Sequence, residues 1–222
     1  MHYDIDRGDH GLKHDPFKAL MAPRPIGWIS TVSADGVCNL APYSFFNAVS
    51  DRPTYVMFAS GGIKDSLRNI EETGEFVCAL STYALRDHMN VSSAPVPAHV
   101  DEFPLSGLTA VASKVVSPPR IKESPAAFEC KHYKTMQMPA VSPDGKPGYH
   151  VVFGHVVSVY IDDNFIKDGL VDTGAMRPLA RLGYMNYSVV TPESVFEINR
   201  PELDGEGNIV NTNAAAWDGV YR

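Results

Sequence analysis

YVMFASGGIKDSLRNIEETGEFVCALS, residues Tyr55–Ser81, reads as strand, glycine-bearing loop, helix and returning strand. Tyr55, Val56, Met57 and Phe58 form a short apolar run of β-formers, which suits a buried strand. Ser60-Gly61-Gly62 follows, and two glycines let the backbone turn back or approach a ligand without a Cβ clash. Lys64, Asp65 and Ser66 open a helix whose apolar positions Ile63, Leu67 and Ile70 recur at helical spacing. Gly74 ends it, and Glu75–Leu80 is the returning strand.

That turn has the chemistry of a phosphate seat. A helix N-terminus presents unpaired N–H groups and the positive end of the helix dipole. Ser60 and Ser66 add hydroxyl donors, and Lys64 adds a point charge. An ordinary helix start, capped by Asp65 or Ser66, accounts for the same residues, and spacing alone leaves both readings open. Neither the Walker pattern nor the G-x-G-x-x-G fingerprint is present in the turn.

The chain has 222 residues, 44% hydrophobic and 20% charged, which predicts one globular domain with a substantial core. A net charge of -7 without a long basic run argues against nucleic acid as the main partner. No apolar run is long enough to span a bilayer, and the first residues lack the apolar core of a signal peptide, so a cytoplasmic location is expected. Cys38, Cys78 and Cys130 are odd in number and far apart, so no disulfide framework is expected. The eight histidines fall in no metal-ligand spacing, and no metal site is predicted.

Around the opening stretch, strand signals outnumber helix signals. Gly27–Ser33 and Val37–Pro42 flank the hairpin signal Asp35-Gly36. Ser44–Val49 reads as extended or loop, with Pro42 at an edge or bulge. Leu108–Val116, Ala126–Lys134, His150–Ile161 and Tyr184–Val190 read as further strands. Short helices are expected near Arg86–Val91 and Asp101–Leu105, and one more over Asp172–Leu182. Met138–Tyr149 reads as a loop. The pattern predicts a closed or partly closed β-barrel with a few peripheral helices.

Several segments, in order, resemble the flavin reductase-like proteins, which include reductase components of two-component flavin monooxygenases, flavoredoxins and nitrilotriacetate monooxygenase component B. They are DPFKALMAPRPIGWIST (Asp15–Thr31), NLAPYSFFNAVS (Asn39–Ser50), KDSLRNI (Lys64–Ile70) and DEFPLSGLTAVAS (Asp101–Ser113). PPRIKESPAAFEC (Pro118–Cys130), HVVFGHVVSVYIDD (His150–Asp163) and PLARLGYMNYSVV (Pro178–Val190) complete the set. The resemblance implies a mainly β fold, a Greek-key split β-barrel. It implies one domain with a core over about 15–200 of the 222 residues, flanked by N- and C-terminal extensions. It further implies a homodimer that binds FMN near its interface.

Carried over residue by residue, the resemblance places the flavin phosphate at Ser60, Lys64, Asp65 and Ser66. Asp65 suits capping the helix or orienting Lys64, because a carboxylate repels phosphate. Trp28, Ser30 and Thr31 on the first strand, and Ser44, Phe45, Phe46 and Asn47 after its return, are expected to line the ring. Strand alternation sets Trp28 and Ser30 on one face. Packing in the core would equally explain Trp28, Phe45 and Phe46, and a turn would explain Asn47. Arg24, in P-R-P-I, suits a phosphate, a partner subunit or plain solvation. Arg181 and Tyr184, in ARLGY, match a segment that closes near the flavin. His150 matches a histidine that lies where nicotinamide docks in related reductases. In those proteins it follows an aspartate, which Tyr149 replaces here.

The implied activity is that of an FMN-dependent oxidoreductase, an NAD(P)H:flavin reductase that moves hydride from nicotinamide to flavin. Reduced flavin would pass to a partner oxygenase or another electron acceptor. The alternatives are an enzyme with tightly held FMN acting on a small organic substrate, and a flavoredoxin-like electron carrier. No side-chain nucleophile is required, because the cofactor carries the chemistry.

Overall fold

A computed structural model describes residues 1–139 and 148–211. Helix α1 (Phe17–Leu20) and strand β1 (Arg24–Pro25) precede β2 (Gly27–Val32) and β3 (Cys38–Tyr43). β4 (Phe46–Asp51), β5 (Thr54–Gly61), α2 (Asp65–Thr73) and β6 (Glu75–Leu80) follow. Helices α3 (Arg86–Val91) and α4 (Glu102–Leu105) lead to the two-residue strands β7 (Ala110–Val111) and β8 (Arg120–Ile121). The long strands are β9 (Ala126–Gln137) and β10 (Tyr149–Ile161). A small hairpin, β11 (Ile166–Lys167) and β12 (Leu170–Val171), leads to α5 (Thr173–Met176), β13 (Leu179–Arg181) and β14 (Tyr187–Val189).

Seven strands form one antiparallel sheet in the order β3-β2-β6-β9-β10-β5-β4. Period-2 alternation divides its residues between two cores. Ile29, Phe76, Cys78 and Cys130 join Leu67 and Ile70 of α2 in one cluster. Trp28, Leu40, Val77 and Ala127 face the other way and pack with Met89 and Phe103. The first cluster is the interior of a roll. Tyr43 of β3 and Phe58 of β5 bring their ring centroids to 4.6 Å, although these strands stand at opposite ends of the sheet. Gly27 of β2 permits the same approach: a Cβ there would lie 2.5 Å from the Phe46 ring of β4.

The mainly β expectation therefore holds, with an antiparallel sheet that curls but stays open. Among the described residues no hydrogen-bonded ladder joins edge strand β3 to edge strand β4, so the strand pairing alone establishes neither a closed barrel nor a Greek key. Pro42 sits on edge strand β3, where a missing N–H interrupts nothing on the outer side.

Three local expectations give way to long-range partners. Leu108–Val116 is not one strand, because the Glu129 carboxylate accepts the Lys114 and Val115 amides at 2.8 and 2.6 Å. Those donors are satisfied by a side chain instead of a ladder. Asp172–Leu182 is not one helix. Arg177 turns left-handed at φ 52° before Pro178, and Leu179–Arg181 joins β1 as β13. The strand expected over Ala126–Lys134 runs three residues further, to Gln137 beside His150, as β9. Residues 140–147 of the expected loop Met138–Tyr149, and residues 212–222, lie outside the described residues. No helix among the described residues is long and apolar enough to cross a membrane.

Candidate functional site

The opening stretch folds as strand, turn, helix and strand, with Ile63 71% exposed ahead of the helix, and its turn forms the floor of a cleft. β5 ends at Gly61, Gly62 takes φ 78°, and Lys64 occupies the N-cap of α2 in extended conformation. No side chain caps the helix, and Asp65 instead pairs with Arg68 one turn on. The capping role expected of Asp65 or Ser66 is therefore replaced by an ion pair along the helix. Lys64 Nζ lies 6.0 Å from the Tyr43 ring centroid.

Beneath the lysine lies a buried polar network. Asn39 Nδ2 donates to Ser66 Oγ at 2.9 Å and to Thr31 Oγ1 at 3.3 Å. Asn69 Nδ2 donates to the same Thr31 oxygen at 3.0 Å. The Tyr43 hydroxyl is buried beside Ser60 and Ser66 without a well-formed hydrogen bond of its own. Burial pushes its pKa up, against the pull of those two hydroxyls.

Two connected hollows open above this floor, of about 760 and 460 Å³, and they share Pro42, Tyr43 and Lys64. Each is of a size that holds a small ligand. The smaller contains Asn39, Ser66 and Glu102, with the Ser92–Val96 loop as its far wall. The larger contains the cations Lys18, Arg24, Lys64 and Arg181 against one carboxylate, Asp15. In a chain of net charge -7, that local excess favours an anionic ligand.

The rim of the larger hollow is a clasp between distant segments. Arg24 is 8% exposed, and its guanidinium donates to the Lys18 and Met21 carbonyls and, at 2.9 Å, to Leu182 O. Burial, then the nearby Arg181 charge, lowers its pKa. Gly183 comes so close that a Cβ would stand 2.6 Å from Ala19 Cα. Arg181 donates to the Tyr187 hydroxyl and the Tyr184 carbonyl, and Tyr184 sits at φ 54° in the turn. The guanidinium of Arg24 thus holds protein carbonyls, and that of Arg181 holds the turn.

The predicted residues divide into two groups. Arg24, Ser44, Phe45, Lys64, Arg181 and Tyr184 line the larger hollow, and Lys64, Asp65 and Ser66 line the smaller. Ser60 is fully buried under the floor and donates to Gly62 O at 2.9 Å. Trp28 is enclosed in the core, with Nε1 donating to Ser92 Oγ at 2.9 Å. Ser30 donates to Pro119 O, and Thr31 belongs to the network under Ser66. None of these three lines either hollow. Phe46 packs on Gly27 beside the roll's interior, and Asn47 Oδ1 accepts the neighbouring Ala48 amide at 2.8 Å.

His150 and Tyr149 are adjacent on β10 and so face opposite ways. Tyr149 is the one in the cleft. Its ring stands over Gly61, 3.5 Å from where a Cβ would be, and meets Phe45 edge-on at 5.6 Å. His150 pairs with Ser60 across the ladder, and its Nδ1 is buried without a partner. Sequence reasoning did not single out Tyr43, Asn39, Glu102 or the arm residues His14, Asp15 and Lys18 as lining the site. Alternation along β3 was the available signal: it sets Asn39, Ala41 and Tyr43 on one side of the strand.

Comparison with known proteins gives the family. A flavin reductase like domain matches residues 20–180. An uncharacterized protein of Aquifex aeolicus is 37% identical over 84% of this chain and 94% of its own length. Nitrilotriacetate monooxygenase component B from Bacillus cereus superposes with a TM-score of 0.78 at 27% identity, covering 89% of this chain and 98% of that one. The 2-nitrobenzoate 2-nitroreductase NbaA of Pseudomonas fluorescens gives 0.77 at 27% identity, covering 90% and 96%. With the domain match spanning residues 20–180 and a relative 37% identical over 84% of the chain, this protein belongs to the flavin reductase-like family.

Proposed function

We propose that the protein is an FMN-dependent oxidoreductase, an NAD(P)H:flavin reductase. The observation that carries the reading is the cationic cleft of about 760 Å³ that meets the N-terminus of α2 at Lys64. A flavin mononucleotide is a flat apolar ring with a dianionic tail, and both halves have a complement here. Lys64, Ser66 and the first amides of α2 take the phosphate. Phe45 and Tyr149 border the ring, and Arg181 supplies positive charge at its polar end. Trp28, Ser30 and Thr31 act from behind, as support. Bound FMN supplies hydride acceptance and onward electron transfer. The protein's share is to place the ring, exclude water and hold a nicotinamide or other donor against it.

Purification of the native protein, release of its chromophore, and NADH and NADPH oxidation with and without added FMN test this reading. FMN release and flavin-stimulated oxidation are expected. A protein that neither carries nor binds FMN contradicts it.

One observation favours a second reading, an enzyme with tightly held FMN acting on a small organic substrate. Tyr149 occupies the cleft where related reductases carry an aspartate, and a likeness at 27% identity is to a nitroreductase. In that case reduced FMN stays bound through turnover and is not handed to a partner oxygenase.

The working form is inferred to be a cytoplasmic homodimer. Val49, Tyr133 and Met136, 51%, 66% and 42% exposed, surround Tyr55 and Phe153 on the outer face of the sheet. A second copy is the cover this apolar face suits. Light scattering should return twice the chain mass of 24.3 kDa, and a monomer with FMN bound would refute it.

A further inference from the structure

We propose that Asn39 is a positioning residue for the anion seat, which turns the Ser66 hydroxyl into a donor towards bound phosphate. The inference rests on the reading of the α2 N-terminus as the phosphate site. Asn39 and Ser66 are 7% and 1% exposed, and both line the smaller hollow beside Lys64. Asn39 uses its amide hydrogens on Ser66 Oγ and Thr31 Oγ1. Thr31 Oγ1 also receives Asn69 Nδ2, so two buried amides converge on one hydroxyl oxygen beneath the helix. A hydroxyl has one hydrogen to give. Ser66 accepts from Asn39, and its own hydrogen has no well-formed acceptor among the described residues, the Tyr43 hydroxyl lying beside it.

A second donor stands next to it. The Tyr43 hydroxyl, on a side chain 6% exposed, lies beside Ser60 and Ser66 without a well-formed hydrogen bond. Two buried hydroxyls beside an ammonium call for a ligand with several acceptor oxygens, and a phosphate monoester has them. The carboxylates nearby are engaged elsewhere. Asp65 is paired with Arg68, and Glu102 accepts the Leu40 amide at 3.0 Å. The network therefore sets the sense of each hydrogen bond before an anion arrives, so the anion need not reorient the hydroxyl.

The test is a double-mutant cycle read by flavin fluorescence. FMN and riboflavin are titrated into wild type, Asn39→Ala, Ser66→Ala and the double variant, with Lys64→Ala alongside. Asn39→Ala is expected to weaken FMN about three- to tenfold, the size of one neutral hydrogen bond. In the Ser66→Ala background the same change should cost nothing further, and riboflavin affinity should stay within about twofold throughout. Independent losses that multiply, or equal losses for the two flavins in Asn39→Ala, overturn the positioning role. If Lys64→Ala abolishes the preference for FMN while Asn39 and Ser66 act independently, only this inference fails. If Lys64→Ala leaves that preference intact, the phosphate reading fails and the inference falls with it. Should Asn39→Ala not fold, the cycle is run with isosteric Asn39→Asp, whose charge effect persists in the Ser66→Ala background and so cancels from the coupling.

Discussion

The floor of the cleft and its rim are built on opposite principles. The floor, Thr54–Leu80 with β3, is short-range: strand, glycine turn, helix and strand follow one another, and their polar side chains bond beneath the surface. The rim joins Lys18 and Met21 to Leu182 through one guanidinium, across 158 residues in the case of Leu182. The floor leaves the Lys64 ammonium and the Tyr43 hydroxyl without a well-formed hydrogen bond at the cleft, whereas the rim spends most of its donors on the protein. The contrast teaches that cationic side chains at the same cleft have different work. Lys64 has no protein carboxylate or carbonyl as a hydrogen-bond partner among the described contacts, whereas both terminal nitrogens of Arg24 are held by carbonyls.

The largest effect should come from breaking the rim. Arg24→Ala leaves three part-buried carbonyls without their donor, and is expected to lower folding stability by roughly 1–3 kcal/mol. Urea denaturation measures it. Arg24→Lys should recover little, because an ammonium cannot match the planar fork. A loss confined to FMN affinity, with stability unchanged, would move Arg24 from the rim's architecture to the ligand.

A smaller effect should separate the two faces of β10. Tyr149→Ala is expected to weaken FMN binding about three- to tenfold through loss of an aromatic contact of ~0.5–1.5 kcal/mol. His150→Ala should leave FMN affinity nearly unchanged and slow reduction by NADH or NADPH in stopped flow. Unaltered reduction in His150→Ala would make the histidine structural and strengthen the small-substrate reading. Equal losses of FMN in both variants would erase the distinction between the faces.

The smallest effect concerns Glu102, under the floor and 5% exposed. Burial raises its pKa, the Leu40 amide opposes that, and Asp65 and Asp101 add to the rise. The folded state therefore binds this proton more tightly than the unfolded chain. Stability falls as pH climbs from the unfolded value, ~4.3, through the folded one, and the penalty is complete above it. Glu102→Gln keeps an acceptor for Leu40 and removes the charge. Its melting temperature should exceed that of wild type at neutral pH, and the gain should vanish as pH falls below the unfolded value. A gain independent of pH would mean that the effect is packing.

This division also explains what could be read from the chain. The floor was legible because its logic lies within a few residues: the Gly61-Gly62 turn, the helical spacing of Leu67 and Ile70, and the left-handed Gly74 stop at φ 76°. Ser66 was legible as a donor, but Asn39 beneath it was not, because their contact needs β3 to pass under α2. Trp28 looked like a ring-stacking residue by type. Its indole is instead satisfied by Ser92, 64 residues away, on a wall no local pattern announces. The strand expected over Leu108–Val116 failed for the same kind of reason, since Glu129 takes two of its amides from across the fold. Strand count and alternation revealed a curled β sheet, whereas whether its edges meet depends on the sum of many twists and had no local signature.

The central claim is that the α2 N-terminus, with Lys64, holds the phosphate of FMN. The direct measurement is the ratio of riboflavin to FMN dissociation constants in wild type and in Lys64→Ala. Loss of a charge-assisted contact worth ~1.5–3 kcal/mol should weaken FMN roughly ten- to hundredfold and leave riboflavin nearly unmoved, collapsing the ratio towards one. Equal weakening of both flavins, or an unchanged ratio, would contradict the account.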